Sequence, residues 1–380
     1  MRILLLGEYS HLHNSLKDGL KKLGHDVFLA SSGDGFKNFP ADFLYRDIFC
    51  NYKIVRFFRK TIHRFTKFDI AKLERGFRFW WLSSNFKNFD VVQLINEAPI
   101  QTTSFLELWL LKKVFAQNKK VFLLSAGVDF LSLKYMIDNP NNKSILQPYY
   151  IDKTLKNHFQ YILDYGSKSH KKVHYFVYEN CLGIIASDID YVLPLQGNKK
   201  FLELIPNPIN TEKIVVEDFI IHDKIIIFLG INQWNAIQKG TKFFEKALAI
   251  IQNEFPDKVE IIVAENIPYS QYINLYNKTH ILLDQVYAHD QGYNALEAMA
   301  KGKVVFTGAE IEFDSHYDLA EKVVINAKPD VDYLVEELRF LIENPAELLQ
   351  ISENAKAFIT EHHNYIDVAK KYLETWKSVK

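Results

Sequence analysis

Short apolar runs alternate with amphipathic stretches along most of this chain. Ile3 to Leu6 is the first run. A polar loop follows, and then Leu12, Leu16, Leu20 and Leu23 fall at helical spacing, with Gly24 as the stop. Val27 to Ala30 returns as a strand, so the opening reads β-α-β. That order implies a parallel sheet with ligands at the carboxyl ends of its strands. Val91–Ile95, Val121–Leu124, Gly183–Ser187 and Phe201–Ile205 extend the first series. A second series runs through Lys224–Leu229, Val259–Val263, Ile281–Leu283, Lys303–Thr307 and Val323–Asn326. Its helices are expected from Lys239 onward, over Tyr272–Lys278 and over Asn294–Ala300. Helical spacing closes the chain over Val331–Glu343, Ala346–Ile359 and Tyr365–Trp376. Pro206 and Pro208 stiffen the turn between the two series. The pattern predicts an α/β protein of two Rossmann-like domains, with the linker just past that turn. Residues 138–172, polar and rich in Asn, Lys and Tyr, receive no role.

Composition changes this picture little. At 380 residues the chain exceeds one ordinary core, which agrees with two domains. Lys+Arg and Asp+Glu are 46 each, so no global charge argues for nucleic acid. Cys50 and Cys181 stand far apart in no metal-ligand spacing, which suits a reducing compartment. No run reaches the roughly 18 apolar residues of a spanning helix. The N-terminal run is too short for a secretion signal and ends at Glu8. The expected location is the cytoplasm, with the inner membrane face as a resting place. No G-x-G-x-x-G follows Ile3–Leu6, which removes the main support for a nicotinamide or flavin site.

Charge is uneven locally. Between Lys53 and Arg78 nine basic residues (Lys53, Arg56, Arg59, Lys60, Arg64, Lys67, Lys72, Arg75, Arg78) face only Asp69 and Glu74. Ile54, Phe58, Ile62 and Phe65 can share one helix face and the cations the other. Residues 52–79 therefore suit a helix lying on an anionic membrane surface. The plainer alternative is a surface helix whose aromatics join the core.

The richest chemistry lies between Ile281 and Gly308. A polar loop, His289-Asp290-Gln291-Gly292, opens a helix beginning near Tyr293. Such a loop gathers unpaired N–H groups at the positive end of the helix dipole, a ready site for phosphate. Glu297 lies close enough to reach a hydroxyl of a bound phosphate compound. Gly292 and Glu297-Ala298-Met299-Ala300-Lys301-Gly302-Lys303-Val304-Val305 resemble the donor motif of retaining GT-B glycosyltransferases of the group 1 family. Glu297 matches the second of that motif's two Glu residues, which holds ribose hydroxyls; His289 stands where the first would be, and Val304 replaces a Pro. Strand, Gly230, loop and Lys239-Gly240 resemble the family's second phosphate element, with Lys239 as the cation and no Arg in the loop.

The resemblance implies two Rossmann-like βαβ domains facing a cleft, residues 1–212 and 213–362, with residues 363–380 returning to the first. It implies a nucleotide-sugar donor held by Gly230, Gln233, Lys239, Asn266, Gln291, Gly292, Tyr293 and Glu297. Lys239, Glu297, His289 and Asp290 would be catalytic. Gly7, His11 and Asp129 would face a saccharide or lipid-linked saccharide acceptor. N–H groups at Gln291-Gly292 and the Lys239 cation would take the place of a divalent metal, so neither metal nor other cofactor is expected. Asp188-Ile189-Asp190 matches no metal site of this family. The implied reaction is sugar transfer with retention, in surface polysaccharide or lipopolysaccharide assembly. A weakly active sugar-nucleotide binder, or an epimerase or phosphorylase of the same fold, stays open. So do three local alternatives: His289 as sugar contact, phosphate contact or loop shaper; Asp129 as acceptor contact or helix cap; Lys239 as phosphate partner or solvated surface charge.

Overall fold

A computed structural model describes residues 1–35, 38–66, 68–214, 219–265, 267 and 274–379. The helix expected over Tyr272–Lys278 therefore begins outside the described residues. The chain forms two compact units, each built on its own parallel sheet.

In the first unit the strands are β1 (Arg2–Leu6), β2 (Asp26–Ser31), β3 (Phe43–Leu44), β4 (Val91–Leu94), β5 (Val121–Ser125), β6 (Ile184–Ala186) and β7 (Phe201–Leu204). Their order is β3-β2-β1-β4-β5-β6-β7. The central strands β4, β5 and β6 are fully buried, because helices cover both faces of a parallel sheet, while the edge strand β7 is only partly buried. The chain leaves β1 toward β2 and later returns on the other side as β4. The strand order therefore reverses between β1 and β4, where open parallel sheets place ligands.

The second unit carries β8 (Ile225–Ile231), β9 (Val259–Glu265), β10 (Ile281–Leu283), β11 (Val304–Thr307) and β12 (Ile325–Asn326), in the order β12-β11-β10-β8-β9. Its order reverses between β8 and β10. The strand expected to end before Gly230 continues through it, and Gly230 pairs in register with Ala264.

The first unit comprises Met1–Tyr135, Tyr161–Pro208 and Tyr365–Lys380; the second comprises Met136–Gln160 and Ile209–Asn364. Residues 136–160 thus pack with the second unit although the sequence reading left them in the first domain. The closing helix, Tyr365–Ser378, belongs to the first unit. It buries Tyr365, Val368, Ala369, Tyr372, Leu373 and Trp376, an i, i+3, i+4 stripe. The Trp376 indole N–H donates to Gln93 Oε1 at 2.9 Å. Its neighbour is the helix Leu12–Lys22, which approaches so closely that a Cβ on Gly19 would lie 2.2 Å from the Tyr365 carbonyl oxygen. Gly19→Val is expected to destabilise the first unit by about 1–3 kcal/mol. The check is an earlier urea transition for that unit, followed by amide exchange in residues 365–378.

Candidate functional site

In the second unit the residues singled out by sequence gather at the carboxyl ends of β8, β10 and β11. Lys239 ends a four-residue helix, Ala236–Lys239, and Gly240 then turns the chain at φ 69° into the helix Thr241–Glu254. Lys239-Gly240 was expected to begin a helix, and Gly240 is the N-cap of Thr241–Glu254, with Lys239 closing the short turn just before it. A side chain at Gly240 would meet Val286 Cγ2 at 2.4 Å, so the turn needs glycine.

Lys239 Nζ lies 2.7 Å from Oδ1 of Asp284, the residue after β10. Asp284 is only 5% exposed and also accepts from Asn294 Nδ2 and Thr307 Oγ1, both at 3.3 Å. One carboxylate therefore ties the end of β10 to β11, to the helix Tyr293–Ala300 and to Lys239. Burying it requires such partners, because an unpaired buried charge is strongly unfavourable. An ammonium has three N–H donors, so Asp284 does not exhaust Lys239.

Gly292 caps the helix Tyr293–Ala300 without a side-chain hydrogen bond. Glu297 is half-buried in its second turn. The loop before it differs from the expectation in one respect. The Gln291 N–H, expected to face a phosphate, donates to Asp290 Oδ1 at 2.6 Å. The cause is local: Asp290 is buried and its carboxylate needs a donor. Gln291 Nε2 donates to the Gly308 carbonyl at 2.9 Å, pinning the loop to the end of β11. His289 Nε2 lies 3.1 Å from the Lys143 carbonyl oxygen, a geometry that matches the loop-shaping alternative. Gln233 Nε2 donates to Glu265 Oε1 at 2.7 Å, joining the β8 loop to β9. Asn266 lies outside the described residues.

Residues 138–172 were left without a role, and their first part, which packs with the second unit, reaches this loop cluster. Lys143 Nζ contacts Glu310 Oε1 at 2.6 Å, the Ala327 carbonyl at 2.9 Å and Asn326 Oδ1 at 3.4 Å. Burial pushes the Glu310 carboxyl up, but the Lys143 ammonium outweighs it and holds the group below its usual range. His158 Nε2 lies 2.9 Å from Gln238 Oε1, beside Lys239. Nothing in the local sequence marks Lys143, since its partners are more than 160 positions away in the chain.

The first unit places its predicted acceptor residues differently. Gly7 turns the chain at φ 88° after β1, and a Cβ there would meet Ile95 Cγ2 at 2.2 Å. His11 enters the helix Leu12–Lys22 in the left-handed region, with its ring 5.0 Å from that of Phe39. Glu8, which the sequence reading passed over, accepts the N–H groups of His13 and Asn14 and fills that helix entrance with the protein's own carboxyl. Asp129 Oδ1 accepts the Ser132 N–H at 2.7 Å, while the Asp129 N–H donates to Ser132 Oγ at 2.8 Å. This is the reciprocal cap of a helix start, so the geometry matches the cap alternative. Among the described residues no group of three or more His, Cys, Asp or Glu is placed to hold a metal ion.

The basic aromatic stretch forms the helix Lys53–Thr66, which buries none of its side chains. The plainer alternative, that aromatics of residues 52–79 join the core, holds at Phe79 in the following helix Ala71–Leu82, which is fully buried, and not along Lys53–Thr66, where Ile54, Phe57, Phe58 and Phe65 are 57–79% exposed. Arg59 pairs with Asp69 and Asp47. Lys53, Arg56, Lys60 and Arg64 have no ion pair among the described residues, and Lys67 lies outside them. No described helix is long and apolar enough to cross a membrane.

Comparison with known proteins bears on the fold. A family model described as glycosyl transferase-like matches residues 236–374. No curated protein matches the chain. Sucrose-phosphate synthase from Thermosynechococcus elongatus superposes with a TM-score of 0.61 at 13% identity, covering 100% of this chain and 99% of that one. Anabaena HepE in complex with UDP-glucose gives 0.57 at 11%, with both chains covered fully. The UDP-GlcNAc 2-epimerase from Neisseria meningitidis, bound to UDP-GlcNAc, gives 0.55 at 13%, again over both whole chains. The fold is GT-B. At these identities the likeness is one of architecture alone. The matched stretch within this GT-B chain begins at the Ala236–Lys239 helix and contains Asp284, the 289–292 loop and Glu297. Lys143→Ala is expected to speed amide exchange across residues 140–146 roughly tenfold, the equivalent of about 1.4 kcal/mol. The Glu310 carboxyl lies below its free value. The tie is therefore at full strength above about pH 4.3 and is lost on further acidification, which exchange measured at two pH values would show.

Proposed function

We propose that the protein is a glycosyltransferase that moves a sugar from a nucleotide-sugar donor to a saccharide or lipid-linked saccharide acceptor. The observation that carries the reading is the meeting of Lys239, Asp284 and the uncapped Gly292 helix entrance where the second sheet reverses its strand order. The glycosyl transferase-like match over the same residues and the nucleotide sugars bound by fold relatives support it.

Breaking the bond from sugar to diphosphate develops negative charge on the leaving phosphate. Lys239, oriented by Asp284, and the positive end of the helix Tyr293–Ala300 would stabilise that charge as it forms. Glu297 would accept hydrogen bonds from ribose hydroxyls. With Asp290 engaged by Gln291 and His289 by Lys143, both act by shaping the loop. Retained configuration and a metal-independent reaction complete the reading. Its second form, a nucleotide-sugar epimerase, is favoured by the likeness to the Neisseria enzyme. Product analysis with and without an acceptor sugar separates the two.

Lys239→Ala and Glu297→Ala are each expected to lower donor turnover at least 100-fold, by the scale of lost transition-state electrostatics. Release of free nucleotide from a panel of nucleotide sugars is the assay. Wild-type turnover in both variants would remove the assignment.

The helix Lys53–Thr66 would rest on an anionic leaflet, with its aromatics in the acyl boundary and Lys53, Arg56, Lys60 and Arg64 at the headgroups. Co-sedimentation with phosphatidylglycerol vesicles is expected, weakened by salt and by Phe57→Ser with Phe58→Ser. Equal sedimentation of the double variant would count against this placement, as would equal recovery with purely zwitterionic vesicles.

A further inference from the structure

At the strand-order reversal of the first sheet, a different set of residues stands ready from those named by sequence. Glu97 follows β4 by three residues and is fully buried. Its Oε1 accepts the Phe130 N–H at 2.9 Å and lies 2.5 Å from His170 Nε2; its Oε2 lies 2.7 Å from His174 Nδ1. Burial pushes this carboxyl up, but the two imidazoles outweigh burial and hold it below the usual carboxylate range. An ionised carboxylate only accepts hydrogen bonds, so His170 must present Nε2–H to it. In the neutral ring that leaves Nδ1 with the lone pair.

The two histidines are not equivalent. His174 is nearly enclosed, with its ring centroid 4.6 Å from that of Phe130 and 4.1 Å from that of Tyr178. The His170 side chain keeps 12% of its exposure, and its Nδ1 has no partner among the described residues. The Tyr165 ring stands 4.5 Å from it at a steep angle, fixing the imidazole on a second side. Half-buried Tyr9, at the end of β1, borders the same edge through Gly127, where a Cβ would lie 3.3 Å from the Tyr9 ring. A buried carboxylate serving structure alone needs no ring nitrogen left open at the surface. Here one imidazole packs the core, and the other is held through Nε2 by Glu97 with its Nδ1 left on the part-exposed edge beside Tyr165. That is the chemistry of a site for a hydroxyl on a partly apolar ring, as a pyranose offers.

We propose that His170 Nδ1, oriented by Glu97 and flanked by Tyr165, forms a hydrogen bond with a hydroxyl of the acceptor sugar. Glu97 is then a positioning residue. The proposal rests on the glycosyltransferase reading for the word acceptor, but its binding test does not require turnover.

The first arm uses the wild-type full chain and diethylpyrocarbonate, which labels neutral imidazole nitrogens. Octyl glucoside, octyl galactoside and octyl N-acetylglucosaminide, each at millimolar concentration, are the probes. At least one is expected to slow labelling of His170 fivefold or more, read by peptide mass, while exposed His63 is labelled at an unchanged rate. The second arm is His170→Gln, whose amide nitrogen can keep the bond to Glu97 while Nδ1 is deleted. It is expected to weaken binding of the protecting glycoside at least tenfold with an unchanged melting temperature. His170→Asn, which retains a polar atom near the Nδ1 position, should recover part of that loss. Unchanged His170 labelling with all three glycosides overturns the proposal, and so does binding by His170→Gln within twofold of wild type. If His170→Gln melts early, the labelling arm decides alone. A protein that binds the glycosides at His170 yet binds no nucleotide sugar would sink the transferase reading and leave this site standing.

Discussion

A carboxylate 5% exposed at the end of β10 holds the second unit's loops in place. Asp284 cannot be buried there unless Lys239, Asn294 and Thr307 all turn toward it. The glycine turn at Gly240 exists so that Lys239 can arrive from one side. The helix from Tyr293 begins where it does so that Asn294 can arrive from another. The candidate phosphate site is thus assembled around an internal anion, and the cation it offers to a ligand is one already shared.

The same device recurs at the carboxyl ends of the first sheet. Glu8, Glu97 and Asp129 each place an acid after a strand, and each is met by backbone N–H groups or imidazoles from the following helices. Strand ends in parallel sheets face helix beginnings, which are electropositive. A protein can leave that potential for a ligand or fill it with its own side chains. This chain fills it in the first unit, whereas the helix entrance at Gly292 in the second has no side-chain cap hydrogen bond.

Strand positions were legible in the sequence because buried parallel strands are continuous apolar runs of Ile, Leu and Val, as Ile225–Ile231 is. The closing helix was legible through its stripe of Tyr365, Val368, Tyr372 and Trp376. The cluster of Lys239, the 289–292 loop and Glu297 could also be placed, since each follows a strand of one sheet. What could not be read was pairing across distance. Lys143 is one lysine in a polar tract until the fold brings Glu310 to it. Glu97 reads as a loop acid until the helix Lys168–Asn180 supplies two histidines spaced one turn apart. The Gln291 N–H was misjudged for a related reason: the competing acceptor was its own neighbour, and only burial decided that Asp290 would take it.

The helix Tyr365–Ser378 has a consequence for how the molecule comes into being. The first unit is completed by residues 365–380, which are synthesised after the whole of the second unit. Until then the seat beside Gly19 and Gln93, which will receive Tyr365, Ala369 and Trp376, is open to solvent or to any chaperone that recognises an apolar surface. A nascent chain therefore waits with its first unit incomplete, and loss of residues 365–378 would be felt beside Gly19 and Gln93.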